Sequence, residues 1–184
     1  LRLFYKSASA TFDIKRMNGT EWRYSKMRPP SFPTIRISQI SQLLFRRLRM
    51  FTHIIDSCDI EDIKKMFDVE VSDYWFTHYK FGKESKARNK EIGTEMQNAL
   101  IINAVAPIVF AYGVQTNDNR KKEWAIEILE TVPAEINNIT KSWAELGIDV
   151  RDASESQALI ELRKNYCDKS NCLRCPICHK IMKY

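Results

Sequence analysis

The sequence predicts an all-α protein, mainly a helical orthogonal bundle, ending in a short cysteine-rich metal knuckle. Three observations predict it. Five glycines and six prolines in 184 residues are too few for a turn-rich β architecture. Apolar residues recur at helical spacing through most of the chain, with short polar connections between the periodic stretches. Four of the five cysteines fall within twelve positions, as Cys167, Cys172, Cys175 and Cys178, with His179 directly after the last. Thiols this close have too little chain between them to staple a fold, and are well placed to converge on one metal ion.

Taken in order, Leu1 to Ala10 reads as the end of a helix, and Thr11-Phe12-Asp13-Ile14-Lys15 alternates like a short strand. Asn18-Gly19 is a turn signal. Residues 22 to 33 hold three prolines and an aromatic residue at Trp22, Tyr24 and Phe32, so this stretch is extended, with Trp22 and Phe32 turned to the core. From Thr34 a helix is signalled by Ile35, Ile40, Leu43, Leu44, Leu48 and Phe51. Asp59 caps a short helix carrying Ile60, Ile63 and Phe67. A long apolar helix runs from about Ile92 to Gly113, kinked or split at Pro107. Asn117-Asp118-Asn119 caps the next helix, which continues to Glu130. Another runs from Pro133 to Leu146 and stops at Gly147. Ser154-Glu155-Ser156-Gln157 resembles a capping box for a last helix carrying Leu159, Ile160 and Leu162. The expected division is an extended basic segment at 1–33 continuing from a missing domain, a helical domain at 34–166, and the knuckle at 167–184.

Hydrophobic residues make up 44% and charged residues 28%, an ordinary balance for a soluble globular protein. The longest apolar stretch, Ala99 to Val114, is interrupted by Asn103 and Pro107 and reads as a core helix, so no membrane is expected. With clustered cysteines and no secretory leader in view, the expected compartment is cytoplasmic. The chain begins at Leu1, not at a methionine, and its first residues read as the interior of an element. The expectation is the C-terminal part of a longer protein.

The net charge of +6 is unevenly spread: residues 1–50 hold eleven Lys or Arg against two acids, and the remainder is net acidic. Arg23, Lys26, Arg28, Arg36, Arg46, Arg47 and Arg49 are therefore candidates for binding DNA or RNA. Arginines engage phosphates, and nearby aromatics offer stacking faces. The plainer reading is a solvated or internally paired surface, with the helix dipole favouring cations at Arg46, Arg47 and Arg49.

For the metal, the candidate ligands are Cys167, Cys172, Cys175 and Cys178, or His179 in place of the last. Zinc is the first expectation, an iron–sulfur cluster the second, and metal-free thiols the third. With four ligands and no open position such a site is structural. Cys58 reads as a small buried hydrophobe and His53 as a core or boundary histidine, while His78 sits in an aromatic run. Asp13-Ile14-Lys15 and Glu84-Ser85-Lys86 fit a nuclease half-motif, but neither has a partner acid upstream, and the chain lacks phosphate loops and zinc-protease strings.

Several strings carry a resemblance. Trp22, then Arg28-Pro29-Pro30-Ser31-Phe32-Pro33-Thr34-Ile35-Arg36 and Gln39, resembles a stretch of the bacterial domain-of-unknown-function 2851 family. Tyr74-Trp75, His78-Tyr79, Phe81-Gly82, Asn103 with Pro107, Pro133-Ala134-Glu135, Trp143 and Ser156-Gln157-Ala158-Leu159 are similar to its later landmarks. Tyr166-Cys167, Cys172-Leu173 and Cys175 resemble its ending, in which a glycine stands where this chain has Cys178. The resemblance implies three family-like thiols, a longer full chain and no stated activity. It also implies an N-terminal half with strings loosely similar to a nuclease core. Together these readings describe a helical accessory domain with a Cys-bound metal and a nucleic-acid surface. The alternatives are an interaction module packing on its own missing N-terminal half, and an iron–sulfur redox or sensor domain.

Overall fold

The computed structural model describes residues 2–13, 18, 21–22, 24 and 27–182, and they are mainly helical. Two compact units divide the chain: residues 1–42 with 70–91, and residues 43–69 with 92–184.

In the first unit, helix α1 (Arg2–Phe12) ends at Asp13, whose φ of 47° is left-handed. Thr11 and Phe12 therefore close a helix and do not open the expected strand; Ile14 and Lys15 lie outside the described residues. A single turn, Pro29–Ser31, leads into helix α2 (Pro33–Arg46). Pro33 suits that start, because its preset φ is helical and a first-turn N–H has no helical acceptor to lose. Thr34, Ile35, Ser38 and Gln39 make the buried stripe of α2. Phe32 stands edge-on to Tyr24 at 5.0 Å and to Tyr79 at 6.3 Å, and Lys80 Nζ lies 4.4 Å from the Tyr24 ring.

Segment 70–91 supplies one turn of helix, α5 (Asp73–Phe76), and a hairpin of β1 (His78–Lys80) and β2 (Lys83–Glu84). Gly82, at φ 67°, takes the turn conformation that a side chain would oppose, and its N–H donates to Tyr74 Oη at 2.9 Å. Two side chains of α2 tie this segment by its backbone: Thr34 Oγ1 donates to Tyr79 O at 2.5 Å, and Gln39 Nε2 donates to Lys90 O at 2.8 Å. Lys90 is itself buried, with Nζ donating to Phe76 O at 2.8 Å and lying 4.2 Å from the Tyr79 ring. Burial, then the charge of Arg88, holds its pKa below the ordinary lysine value.

The second unit is built around one helical column. Helix α6 (Thr94–Leu100) passes through a widened turn, Ile101–Val105, into α7 (Ala106–Gln115). The widening answers Pro107. A proline in a regular helix clashes with the carbonyl four residues back, here Asn103, and leaves it without a donor. In the widened turn Ala106 N–H reaches back five residues to Ile101 O, and the Asn103 side chain donates to Ala99 O at 2.9 Å. Ile101, Val105 and Val109 are fully buried at four-residue spacing. By length and mean hydropathy Thr94–Gln115 would suffice to cross a bilayer, a test that core helices also pass, and about a third of its apolar window is buried.

Helix α8 (Asn119–Thr131) is capped by Asp118, whose carboxylate accepts from Arg120 N–H at 3.0 Å, and buries Ala125 and Ile128 on α7. Burying an isoleucine or valine here contributes about 1.5–3 kcal/mol each before entropy is charged. The remaining contributors are α3 (Met50–Asp56), which places Ile54 and Ile55 in the cluster, and α4 (Ile60–Met66), which adds Ile63 and Met66. Asp59 caps α4 as expected, accepting from Glu61 N–H at 3.0 Å.

Two helix starts differ from expectation. Pro133 opens no helix: it pairs with Asp152 across an isolated bridge, held by Ala153 N–H on Val132 O at 2.8 Å. Helix α9 (Asn138–Glu145) begins later, because Asn137 and Thr140 form a reciprocal capping box. Gly147, at φ 81°, follows its end. Helix α10 (Ala153–Leu162) is capped by Asp152 and not from Ser154, whose hydroxyl donates to the Asp152 carboxylate at 2.8 Å. Beyond it come a widened turn at Arg163–Cys167, one tight turn at Cys172–Arg174, and helix α11 (Pro176–Ile181).

Candidate functional site

The helix expected from Thr34 through Phe51 is broken. It ends at Arg46, and α3 restarts at Met50. The break carries no glycine or proline, and Arg49 offers α3 no side-chain cap. Burial dictates it instead: Leu43 on one side and Ile54 and Ile55 on the other enter the same core cluster, and the chain between them turns outward.

The result is a corner, Phe45-Arg46-Arg47-Leu48-Arg49, bordering a depression of about 380 Å³ that His53 also lines. All three arginines are exposed and make no ion pair among the described residues. Phe45 and Leu48 are 80% and 91% exposed, although helical spacing assigns Leu48, with Leu44 and Phe51, to a core stripe. His53 is half-buried, as a boundary histidine should be. Its Nε2 lies 3.1 Å from Asp62 Oδ2, within ion-pair reach but out of line for a hydrogen bond. Asp62 in turn accepts from Ser57 Oγ at 3.3 Å.

The other basic candidates are placed differently. Arg36 is half-buried and donates from Nη1 to Gln39 Oε1 at 2.9 Å, and burial lowers its pKa. It is engaged in holding α2, not displayed. Arg28 is exposed beside the Pro29–Ser31 turn. Arg23 and Lys26 lie outside the described residues.

Of the cysteine string, Cys175 is buried, Cys178 is half-buried, and Cys167 and Cys172 are exposed. Cys175 N–H donates to Cys172 O at 3.1 Å, which closes the tight turn and brings the thiols of this C-x2-C-x2-C run toward one another. The pKa of Cys178 is raised above the ordinary thiol value, first by burial and then by the neighbouring Cys172 and Cys175. Cys167, at the end of the Arg163–Cys167 turn, is not among the groups acting on Cys178. Among the described residues no three His, Cys, Asp or Glu side chains are gathered as a metal-binding group. The four expected ligands are thus not assembled around one point, and His179 is exposed.

Two isolated candidates resolve simply. Cys58 is exposed, against the expectation of a buried small hydrophobe, because Ser57 takes the inward position in that loop. The ring of His78 stacks on Tyr74 at 4.0 Å, and its Nδ1 lies within hydrogen-bond distance of Tyr74 O, at 2.9 Å, and of Thr77 Oγ1, at 3.0 Å. Glu84, exposed on β2, belongs to no group of three metal-binding side chains among the described residues, and Asp13-Ile14-Lys15 is only partly described.

The family described as protein of unknown function (DUF2851) matches residues 1–138. The chain belongs to that family. The DUF2851 match takes in the corner, the aromatic hairpin and the Pro107 turn, and ends before the cysteine string. No curated protein and no solved structure matches the chain.

Proposed function

We propose that this chain is a helical accessory domain that binds single-stranded nucleic acid through the corner Phe45–Arg49. The observation that carries the reading is the set of three exposed guanidiniums, without an ion pair among the described residues, interleaved with an exposed phenyl ring and leucine. A solvated helix end needs charge but not exposed apolar side chains. Arginine forks hold phosphates, and a phenyl face takes an unpaired base, which a duplex does not offer. Each guanidinium on a phosphate releases condensed counterions. Three contacts to a single strand give a slope of about −2 in log K against log salt, or about a twentyfold loss between 50 and 200 mM. Fluorescence anisotropy with a labelled oligonucleotide measures this. Joint substitution of Arg46, Arg47 and Arg49 by alanine should remove most of the affinity and flatten the slope. Phe45→Ala should cost about tenfold or more and leave the slope unchanged. Absence of binding at about 50 mM salt, where such contacts are strong, overturns the proposal and points to a protein partner at this corner.

A second reading concerns the C-terminal thiols, and what supports it is the tight turn that Cys175 N–H closes on Cys172 O at 3.1 Å, with Cys175 buried and Cys178 on the helix that follows. We propose that Cys172, Cys175 and Cys178 take up a divalent metal, zinc by preference, with Cys167 or His179 completing the set as the segment closes. Elemental analysis of protein purified without air tests it. Stoichiometric zinc supports the reading, iron with visible absorption replaces it by a cluster, and neither metal refutes both.

A further inference from the structure

The first unit holds a pocket of about 280 Å³ with an unusual division of labour in its walls. One wall is α2, which presents Ser38, Ser41 and Gln42 at the three- and four-residue spacing that puts side chains on one face. Aromatic rings of Trp22, Trp75 and Phe81 supply much of the rest. Trp75 is buried, and Phe81 stands 5.1 Å from it at 64°.

The polar wall is unspent. Ser38 is only 8% exposed, and a buried helical serine ordinarily turns its hydroxyl back to a carbonyl of the preceding turn, as Thr131 does here to Glu127 O at 2.8 Å. Ser38 makes no such bond, and the side chains of Ser41 and Gln42 are likewise without partners among the described residues. Ser72, at the start of α5 and also lining the pocket, makes no capping bond either. Ser38 lines the pocket with its hydroxyl unpartnered among the described residues, so an occupant that can hydrogen-bond to it is favoured over a purely apolar one. Among the described residues no Lys, Arg, Asp or Glu lines the pocket, which favours a neutral occupant.

We propose that this pocket binds a nucleobase: a neutral, planar heterocycle with two apolar faces for the aromatic walls and one polar edge for Ser38, Ser41 and Gln42. A sugar, with hydroxyls on every side, would leave most of them facing rings. The site goes beyond the corner reading and does not depend on it, because a nucleoside carries no phosphate for Arg46, Arg47 or Arg49. The base is taken either from a free nucleoside or from a strand, and the experiment has an arm for each.

The probes are adenosine, cytidine, guanosine, uridine and a mixed-sequence oligonucleotide, titrated into the intact chain while its four tryptophan indole N–H resonances are followed by NMR. The expected result is a saturable shift confined to Trp22 and Trp75, with Trp124 and Trp143 unmoved. A shift with nucleosides assigns a free ligand, and a shift with the oligonucleotide alone assigns a base within a strand. Ser38→Ala should weaken binding about tenfold with no loss of thermal stability, since it deletes a hydroxyl without a partner among the described residues. Phe81→Ala, at a ring 76% exposed, should weaken binding similarly while the chain stays folded. The corner triple variant should leave nucleoside binding unchanged. If no probe moves Trp22 or Trp75, or if neither Ser38→Ala nor Phe81→Ala changes the affinity, the proposal is overturned.

Discussion

Gly113 of α7 lies against the backbone at the start of α8, and Gly113→Ala tests how that packing is made. A Cβ at this position would stand 2.9 Å from both Asp118 O and Lys122 N. Both are backbone atoms at the start of α8, so neither can swing aside as a side chain would. The methyl lies about half an ångström inside ordinary contact, and admitting it forces the two helices apart where Asp118 N–H donates to Gly113 O at 2.8 Å. Overpacking of this kind costs about 1–3 kcal/mol, and a backbone clash belongs at the upper end. Alanine returns about 1 kcal/mol through its higher helix propensity. The balance is a loss of about 2 kcal/mol, or a melting temperature lower by about 4–8 °C for a chain of this size. Urea unfolding followed by circular dichroism reads the midpoint directly. An unchanged or raised midpoint would mean that propensity outweighs the clash, and would refute the argument that α7 and α8 need glycine to approach.

Two further predictions concern charge. Because the folded pKa of Lys90 is depressed, the unfolded chain holds that proton to higher pH, and stability rises with pH until the ordinary lysine value near 10.5 is passed. Lys90→Met should abolish that alkaline rise in denaturation midpoints, and a rise of equal size in the variant would refute the assignment. Asp152 has its pKa lowered chiefly by the Glu155 N–H it accepts as cap of α10, then by the Ser154 hydroxyl. Its contribution is present above about pH 4 and lost as pH falls through the folded value, so Asp152→Ala should cost about 0.5–2 kcal/mol at pH 7 and progressively less in acid. A pH-independent difference would count against a charged cap.

How much of this was legible beforehand depends on the range of the signal. Asp59, Asp118, Gly147 and Pro107 act within a turn or two of themselves, and their effects on α4, α8, α9 and the central helix could be read along the chain. The break between Arg46 and Met50 could not, because nothing local makes it. It follows from where Leu43, Ile54 and Ile55 are buried. For the same reason the arginines were recognisable as candidates, while the exposure of Phe45 and Leu48 beside them was not. The hairpin at 78–84 was hidden inside an aromatic run, and its ties to α2 through Thr34 and Gln39 span 45 and 51 residues. Pro133 misled because its helix-starting geometry serves equally to leave a bridge, and Asn137 supplies the stronger cap.

The apolar residues of the corner separate a binding surface from a merely solvated one. Arginines at the C-terminal end of α2 favour the helix dipole, so their presence alone does not require a ligand. Phe45 and Leu48 have no such role. At 80% and 91% exposure they bury almost nothing, and replacing both with serine should shift stability by no more than about 0.5 kcal/mol. If the corner meets a strand, the same double substitution should lower affinity by at least about tenfold through lost stacking, with the salt slope kept because all three guanidiniums remain. A variant that melts several degrees lower would show these side chains to be covered and structural. One that melts normally and binds as tightly as the parent would leave the arginines as a non-specific charge cluster. The paired measurement, melting and salt-dependent anisotropy on one double variant, therefore tests the apolar half of the corner independently of its charge.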